Sequence, residues 1–167
     1  MDGLIVAANV DLKSFDVDYY KKVLKGDLDG VLHAMKKMKS VGIWVEVTTL
    51  VIEGLNDSDE ELGKIAAFIA DELGVDTPWH VTAFHPDYKM LETPPTSVQT
   101  LLRARAIGEA VGLHHIYMGN VPEEHSTYCP VCKKRLIERY GFGSGAMHID
   151  EFGRCAFCSE SISGIWH

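Results

Sequence analysis

The chain has 167 residues, 46% of them hydrophobic and 24% charged, an ordinary globular composition long enough to bury a core. Sixteen Lys and Arg against 24 Asp and Glu leave a net charge of −8, which argues against non-specific nucleic-acid binding. No apolar run approaches the roughly 18–20 residues that span a bilayer, and the start MDGLIVAANVDLK carries no basic leader or cleavage site. A cytoplasmic protein with neither a membrane nor a nucleic-acid partner is expected.

The charge is unevenly spread. Residues 1–125 hold 11 basic and 20 acidic side chains, and residues 126–167 hold 5 and 4. All four cysteines lie in the second stretch. The expected organisation is an acidic α/β body over 1–125 and a cysteine-bearing tail over 126–167.

Residues 4–12 (LIVAANVDL) are extended in character, and a polar, helix-friendly stretch runs from Asp16 to Lys25. Over 27–41, Leu28, Val31, Leu32, Met35 and Met38 follow helical spacing, and Gly42 can end the helix. Residues 43–52 (IWVEVTTLVI) are dense in β-branched and aromatic side chains and predict a strand. After the loop Glu53–Asp57, Ser58 with Glu61 makes a capping box. Leu62, Ile65, Ala66, Ile69 and Leu73 then line one helical face up to Gly74. A third strand is expected at 79–84, a helix opened by a Thr96–Gln99 capping box and running to Gly112, and a fourth strand at 114–118. Asp59, Glu60 and Glu61 suit the positive start of a helix dipole better than a catalytic acid pair.

Strands alternating with helices of this length imply βαβ crossovers and a parallel sheet. Side chains alternate faces along a strand. Ile43, Val45, Val47 and Val51 therefore share one face, and Glu46 and Thr48 the other. Val10 and Leu12 likewise oppose Asn9, Asp11 and Lys13, while His80 and Thr82 oppose Val81 and Ala83. A sheet covered on both sides would be apolar on both faces. One repeatedly polar face suits a barrel lumen or a broad ligand cleft; strand ends reaching water are the plainer alternative. In a barrel, chemistry belongs at the C-terminal strand ends, around Asp11–Lys13, from Thr48 onward, and at His85.

The tail carries the most specific motif. Cys129-Pro-Val-Cys132 and Cys155-Ala-Phe-Cys158 are two C-x2-C knuckles separated by 22 residues, slightly longer than the usual zinc-ribbon interval. Two knuckles complete a tetrahedral four-sulfur shell with no open position, so a structural Zn²⁺ is favoured over a catalytic one. A rubredoxin-like iron site uses the same ligands. Disulfides and a thioredoxin-type redox pair are the alternatives; no sign of an oxidising compartment favours the first, and the second does not ordinarily come as two matched knuckles. Arg135–Tyr140 and Ala146–Ile149 would supply the short strands of the ribbon. His33, His114, His115, His125, His148 and His167 form no metal-ligand spacing, and a packing or interstrand hydrogen-bonding role is expected of His80.

In order along the chain, AANVDLKSF, LVIEGLND, AFHPDYKM, YMGNVP, TYCPVCKKRLIERYGF and GRCAFCSESISGIW resemble the C-terminal part of the pyruvate formate-lyase-activating-enzyme-like radical SAM proteins. The branch belonging to the AmmeMemoRadiSam system is the nearest likeness, since ordinary activating enzymes lack the paired knuckles. The resemblance implies part of a TIM-type (β/α)6 barrel that holds a [4Fe–4S] cluster and S-adenosylmethionine. It also implies cleavage of the latter to a 5′-deoxyadenosyl radical, which abstracts hydrogen from a protein or small-molecule substrate. Asp11 and Lys13 match the family's D-L-K contacts to S-adenosylmethionine, and His85 matches a further one. Thr48 stands where the activating enzymes carry an Arg, and Glu46 has the wrong charge to replace it.

Lying two apart on one strand face, Asp11 and Lys13 can reach the same ligand, a carboxylate for ribose hydroxyls and an ammonium for a carboxylate. No cysteine precedes Cys129, so the C-x3-C-x2-C motif that binds the radical-generating cluster is absent, as is the family's early glycine-rich motif. The expectation is a truncated portion of such an enzyme, inactive alone, whose N-terminal portion or a partner chain carries C-x3-C-x2-C. A self-standing zinc-binding interaction module and a rubredoxin-like electron carrier are the alternatives. An incomplete barrel would leave an open sheet edge, for which marginal stability or self-association is expected.

Overall fold

A computed structural model describes residues 4–122, 125–141 and 143–166. The chain divides into two compact units, Met1–Val121 and Pro122–His167, each with its own buried cluster. Among the described residues, no helix is long and apolar enough to cross a membrane.

The first unit alternates strand and helix. Strand β1 (Ala7–Asp11) leads to α1 (Val17–Tyr19), which widens into a π-helical turn at Tyr20–Leu24. Then come α2 (Leu28–Ser40), β2 (Trp44–Val51) and α3 (Asp59–Phe68), the last ending in a π-helical turn at Ile69–Leu73. Strand β3 (Trp79–Ala83), α4 (Val98–Ala110) and β4 (Ile116–Gly119) complete it. All three strand pairs are parallel, in the order β1-β2-β3-β4. Among the described residues the sheet is open, with β1 and β4 as its edges.

Period-two patterning produces two unlike faces. Along β2 and β3 every second residue is fully or nearly fully buried: Val45, Val47, Thr49 and Val51, then Trp79, Val81 and Ala83. These join Met35, Leu62, Ile65, Ile69 and Leu101 from the helices in one cluster. The alternate residues Trp44, Glu46, Thr48, Leu50, His80 and Thr82 are half-buried. The indole N–H of Trp79 is satisfied by Thr49 Oγ1 at 2.9 Å, and that hydroxyl donates to the Leu12 carbonyl at 2.9 Å. Gly108 of α4 has no room for a side chain. A Cβ there would stand 2.6 Å from Ile116 Cδ1 and 3.0 Å from the Trp79 ring, so the missing side chain lets α4 approach the sheet.

The expected elements are present with shifted ends. The strand expected over 4–12 is paired only at 7–11, leaving Leu4, Ile5 and Val6 exposed, and the fourth strand lies at 116–119 rather than 114–118. The cap of α4 is Ser97, which accepts from Thr100 N at 3.2 Å, and not Thr96. The Thr96 hydroxyl is drawn away to the Val51 carbonyl at 2.5 Å and accepts from Phe84 N at 3.0 Å, a tertiary demand outweighing a local one. Only half of the Ser58–Glu61 box forms. Ser58 accepts from Glu61 N at 3.2 Å, whereas the Glu61 carboxylate accepts from the Ser14 hydroxyl and the Phe15 amide. Asp59 and Glu60 are engaged by Arg103 at 2.8 Å and Lys64 at 2.6 Å.

In the second unit, β5 (Thr127–Tyr128), β6 (Arg135–Tyr140) and β7 (Gly143–Met147) form an antiparallel sheet. Its core comprises Leu136, Ile137, Ile149, Ile162, Cys129 and Cys155, with Trp166 packed on it. The Trp166 indole donates to the Ile162 carbonyl at 2.7 Å. His167 lies outside the described residues.

Candidate functional sites

The four cysteines converge. Their Sγ atoms all lie within 4.8 Å of one another, with Cys129–Cys158 at 3.6 Å and Cys132–Cys155 at 3.7 Å. A tetrahedron with metal–sulfur bonds of about 2.3 Å has edges of about 3.8 Å; two of the six separations match that edge and none exceeds 4.8 Å, so the sulfurs stand close to the arrangement a four-thiolate metal requires. A disulfide would need about 2.05 Å, and all four are free thiols.

The two knuckles repeat one backbone design. In the first, Lys133 N donates to the Cys129 carbonyl at 3.0 Å and Cys129 N to the Lys134 carbonyl at 2.9 Å; in the second, Ser159 N donates to the Cys155 carbonyl at 2.9 Å and Cys155 N to the Glu160 carbonyl at 2.8 Å. Lys133 and Ser159 both adopt left-handed backbone, at φ 60° and 64°, which turns the chain back after the second cysteine. Backbone amides also point at sulfur: Cys132 N reaches Cys129 Sγ at 3.5 Å and Phe157 N reaches Cys155 Sγ at 3.4 Å. Burial raises the Cys155 thiol, but the amides of Phe157 and Cys158 and the thiols of Cys158 and Cys132 outweigh it, and the group falls to about 7. At Cys158 the Glu160 amide favours the thiolate, yet burial and the three neighbouring thiols raise it to about 12. Cys155 is thus favoured as the thiolate and Cys158 as the thiol, as expected of sulfurs that share hydrogen bonds until a cation replaces the protons.

The half-buried face of the parallel sheet is the second candidate site. Pairing places Asp11, Thr48, His80 and Tyr117 in one row across the four strands. Asp11 ends β1, and Lys13 just beyond it reaches the Asp11 carboxylate at 3.1 Å. Thr48 sits mid-strand in β2 and donates to Asn9 Oδ1 at 2.8 Å. His85 is exposed, two residues past β3. Register therefore brings Thr48 beside Asp11, while Lys13 and His85 lie just beyond the C-terminal ends of their strands. In the row below, Glu46 reaches across to His80, with Oε2 and Nε2 at 2.6 Å, and accepts from Trp44 Nε1 at 3.1 Å.

Loops at the C-terminal strand ends are fixed by residues the sequence did not single out. Asn56 is buried; it accepts from Ile52 N at 2.7 Å and donates to the Lys13 and Leu50 carbonyls at 2.6 and 2.9 Å. One amide thereby ties the segment carrying Lys13 to β2. Glu53 accepts from the Thr100 hydroxyl at 2.6 Å, the Ser97 amide at 3.0 Å and the Ser97 hydroxyl at 2.8 Å, and these bonds hold its carboxyl below the usual range. The available signal was an Asn inside a short loop, which is common and non-specific.

No family model matches the chain. An uncharacterized protein of Methanocaldococcus jannaschii is 46% identical over 159 residues, covering 93% of this chain and 47% of that protein. The chain thus spans about half the length of the curated relative it matches. Among solved structures, a domain of the pyruvate-formate lyase-activating enzyme of Bacteroides vulgatus is similar with a TM-score of 0.60 at 17% identity, over 69% of this chain and 68% of that domain. The likeness is one of fold, over that share of the chain.

Proposed function

We propose that this chain is the C-terminal portion of a radical SAM enzyme of the activating-enzyme type, nearest to the AmmeMemoRadiSam branch. In this reading, residues 1–125 contribute strands of a partial (β/α)6 barrel, and 126–167 form a four-cysteine metal ribbon. The observation that carries the reading is the two-faced parallel sheet. Helices cover one face, the other stays polar, and Asp11 and Thr48 stand side by side on it, in a fold similar to an activating-enzyme domain.

The chemistry of the donors fits S-adenosylmethionine in part. The Asp11 carboxylate can accept from ribose hydroxyls, Lys13 can hold a carboxylate, and His85 offers a further polar contact. Thr48 offers a hydroxyl in place of the cationic Arg of the activating enzymes. The residues do not fit the radical-generating cluster. The chain's four cysteines are all in the knuckles, gathered within 4.8 Å of one another, and none has C-x3-C-x2-C spacing. That cluster is assigned to an N-terminal portion or a partner chain, in keeping with the 47% of the curated relative that this chain covers. Zn²⁺ is the metal proposed for the four-cysteine site, since the closed sulfur shell suits a structural ion. Iron in the same shell would instead make a rubredoxin-like carrier, and the purified protein would then be coloured. A reducing compartment, the cytoplasm, keeps the thiols available.

The test combines this chain with the part of the longer relative that it does not cover, under anaerobic reducing conditions, and measures 5′-deoxyadenosine. Formation by the pair but not by the isolated chain is expected. Asp11→Asn and Lys13→Ala should each weaken binding of S-adenosylmethionine about tenfold, near 1.4 kcal/mol, in equilibrium dialysis. Cleavage by this chain alone, or unchanged binding in both variants, would refute the proposal.

A further inference from the structure

The open sheet face holds a second set of groups that the proposed cofactor contacts leave unused. His80 Nε2 lies 2.6 Å from Glu46 Oε2, and the other carboxylate oxygen is engaged by the Trp44 indole at 3.1 Å. The imidazole also lies against the Tyr117 ring, with centroids 5.3 Å apart and planes 33° apart. The ring is therefore held at one edge and on one side. Both partners are within reach of solvent, with 28% of the His80 side chain and 34% of Glu46 exposed.

This geometry fixes a tautomer. A carboxylate beside Nε2 keeps the proton there, so the neutral ring presents Nδ1 as a lone pair. No hydrogen bond joins Nδ1 to any other described residue. A carboxylate that orients an imidazole and stabilises its protonated form is the arrangement that makes histidine an effective proton acceptor. The titratable groups around the ring are Glu46 on β2, Tyr117 on β4 and, two strands away, Asp11 on β1. His115 precedes β4 and feels both Glu46 and Asp76.

We propose that His80, oriented by Glu46, is a proton-accepting site for a substrate group bearing an exchangeable O–H or N–H. It lies about 10 Å along the sheet from Asp11, two strand spacings away. The substrate's proton passes to Nδ1, the electron pair of the broken O–H or N–H bond stays on the heteroatom, and Glu46 balances the resulting imidazolium. An anionic group would meet a lone pair backed by a carboxylate and is disfavoured. This deepens the reading of the sheet face given above by naming its substrate class.

The test needs no substrate and no S-adenosylmethionine, so its failure is separate from a failure of the cofactor reading. Diethyl pyrocarbonate acylates a neutral imidazole nitrogen, with release of ethanol and carbon dioxide. Timed peptide mapping at about pH 8, above the ordinary imidazole range, should find His80 of the folded wild-type chain modified at least as fast as the exposed His33 and His85. Glu46→Gln should slow His80 severalfold without altering the rates at His33 and His85. A His80 that stays unmodified in the wild type while His33 and His85 react would overturn the proposal, whatever the variant does. A Glu46→Gln chain that keeps the wild-type unfolding midpoint and the wild-type His80 rate would overturn the orienting role of Glu46.

Discussion

At the residue scale, Asn56 does more than its place in a loop indicates. Its amide satisfies one backbone N–H and two carbonyls from two different strand ends, and it is 2% exposed. Asn56→Ala would leave those groups buried without partners, so a loss on the order of 2–4 kcal/mol is expected. Asn56→Asp should cost more, because a carboxylate would face two carbonyl oxygens in place of the donating NH2. Denaturant titration of both variants checks the order; an aspartate variant as stable as the alanine one would contradict it. Because one of the donated bonds goes to the Lys13 carbonyl, either variant also loosens the segment that presents Lys13.

At the scale of elements, α4 is held against the sheet at Gly108. Gly108→Ala sets a helix-propensity gain of about 1 kcal/mol against a Cβ that collides with Ile116 and Trp79. Overpacking of this kind costs about 1–3 kcal/mol, so a net loss is expected. Ile116→Val removes the nearest methyl group and should recover part of it in the double variant, as thermal unfolding would show. A fully additive pair would mean that the contact is not where the strain lies. The elements themselves were legible in the sequence, because period-two alternation in 43–52 and helical spacing in 27–41 and 58–73 are strong signals. The cap of α4 was not, since Thr96 and Ser97 are equally good local candidates and only the Val51 carbonyl decides between them. The knuckle spacing identified the four cysteines without any structure. The Glu46–His80 pair was hidden for a different reason. The sequence shows which face each residue takes, but not the interstrand register that sets Thr48 beside His80 and brings Glu46 within reach.

At the scale of the whole molecule, the two units differ in what stabilises them. The first rests on a broad apolar cluster shared by sheet and helices. The apolar cluster of the second comprises six buried residues among those described, two of them cysteines, and so small a core ordinarily needs a metal or cross-links. Removing metal with a chelator under reducing conditions should therefore abolish hydrogen-exchange protection in β6 and β7 while β2 and β3 keep theirs. Protection of β6 and β7 that survives metal removal would show that the ribbon folds on its apolar core alone.

The sequential order β1-β2-β3-β4 has a consequence for assembly. Each strand pairs with its neighbour in the chain, every connection crosses over the same face, and no segment is threaded between two others. A parallel strand added at the β1 edge would extend the sheet without disturbing a pairing already made. Division of such a sheet at a crossover would therefore break one strand pairing and leave those within each piece in register.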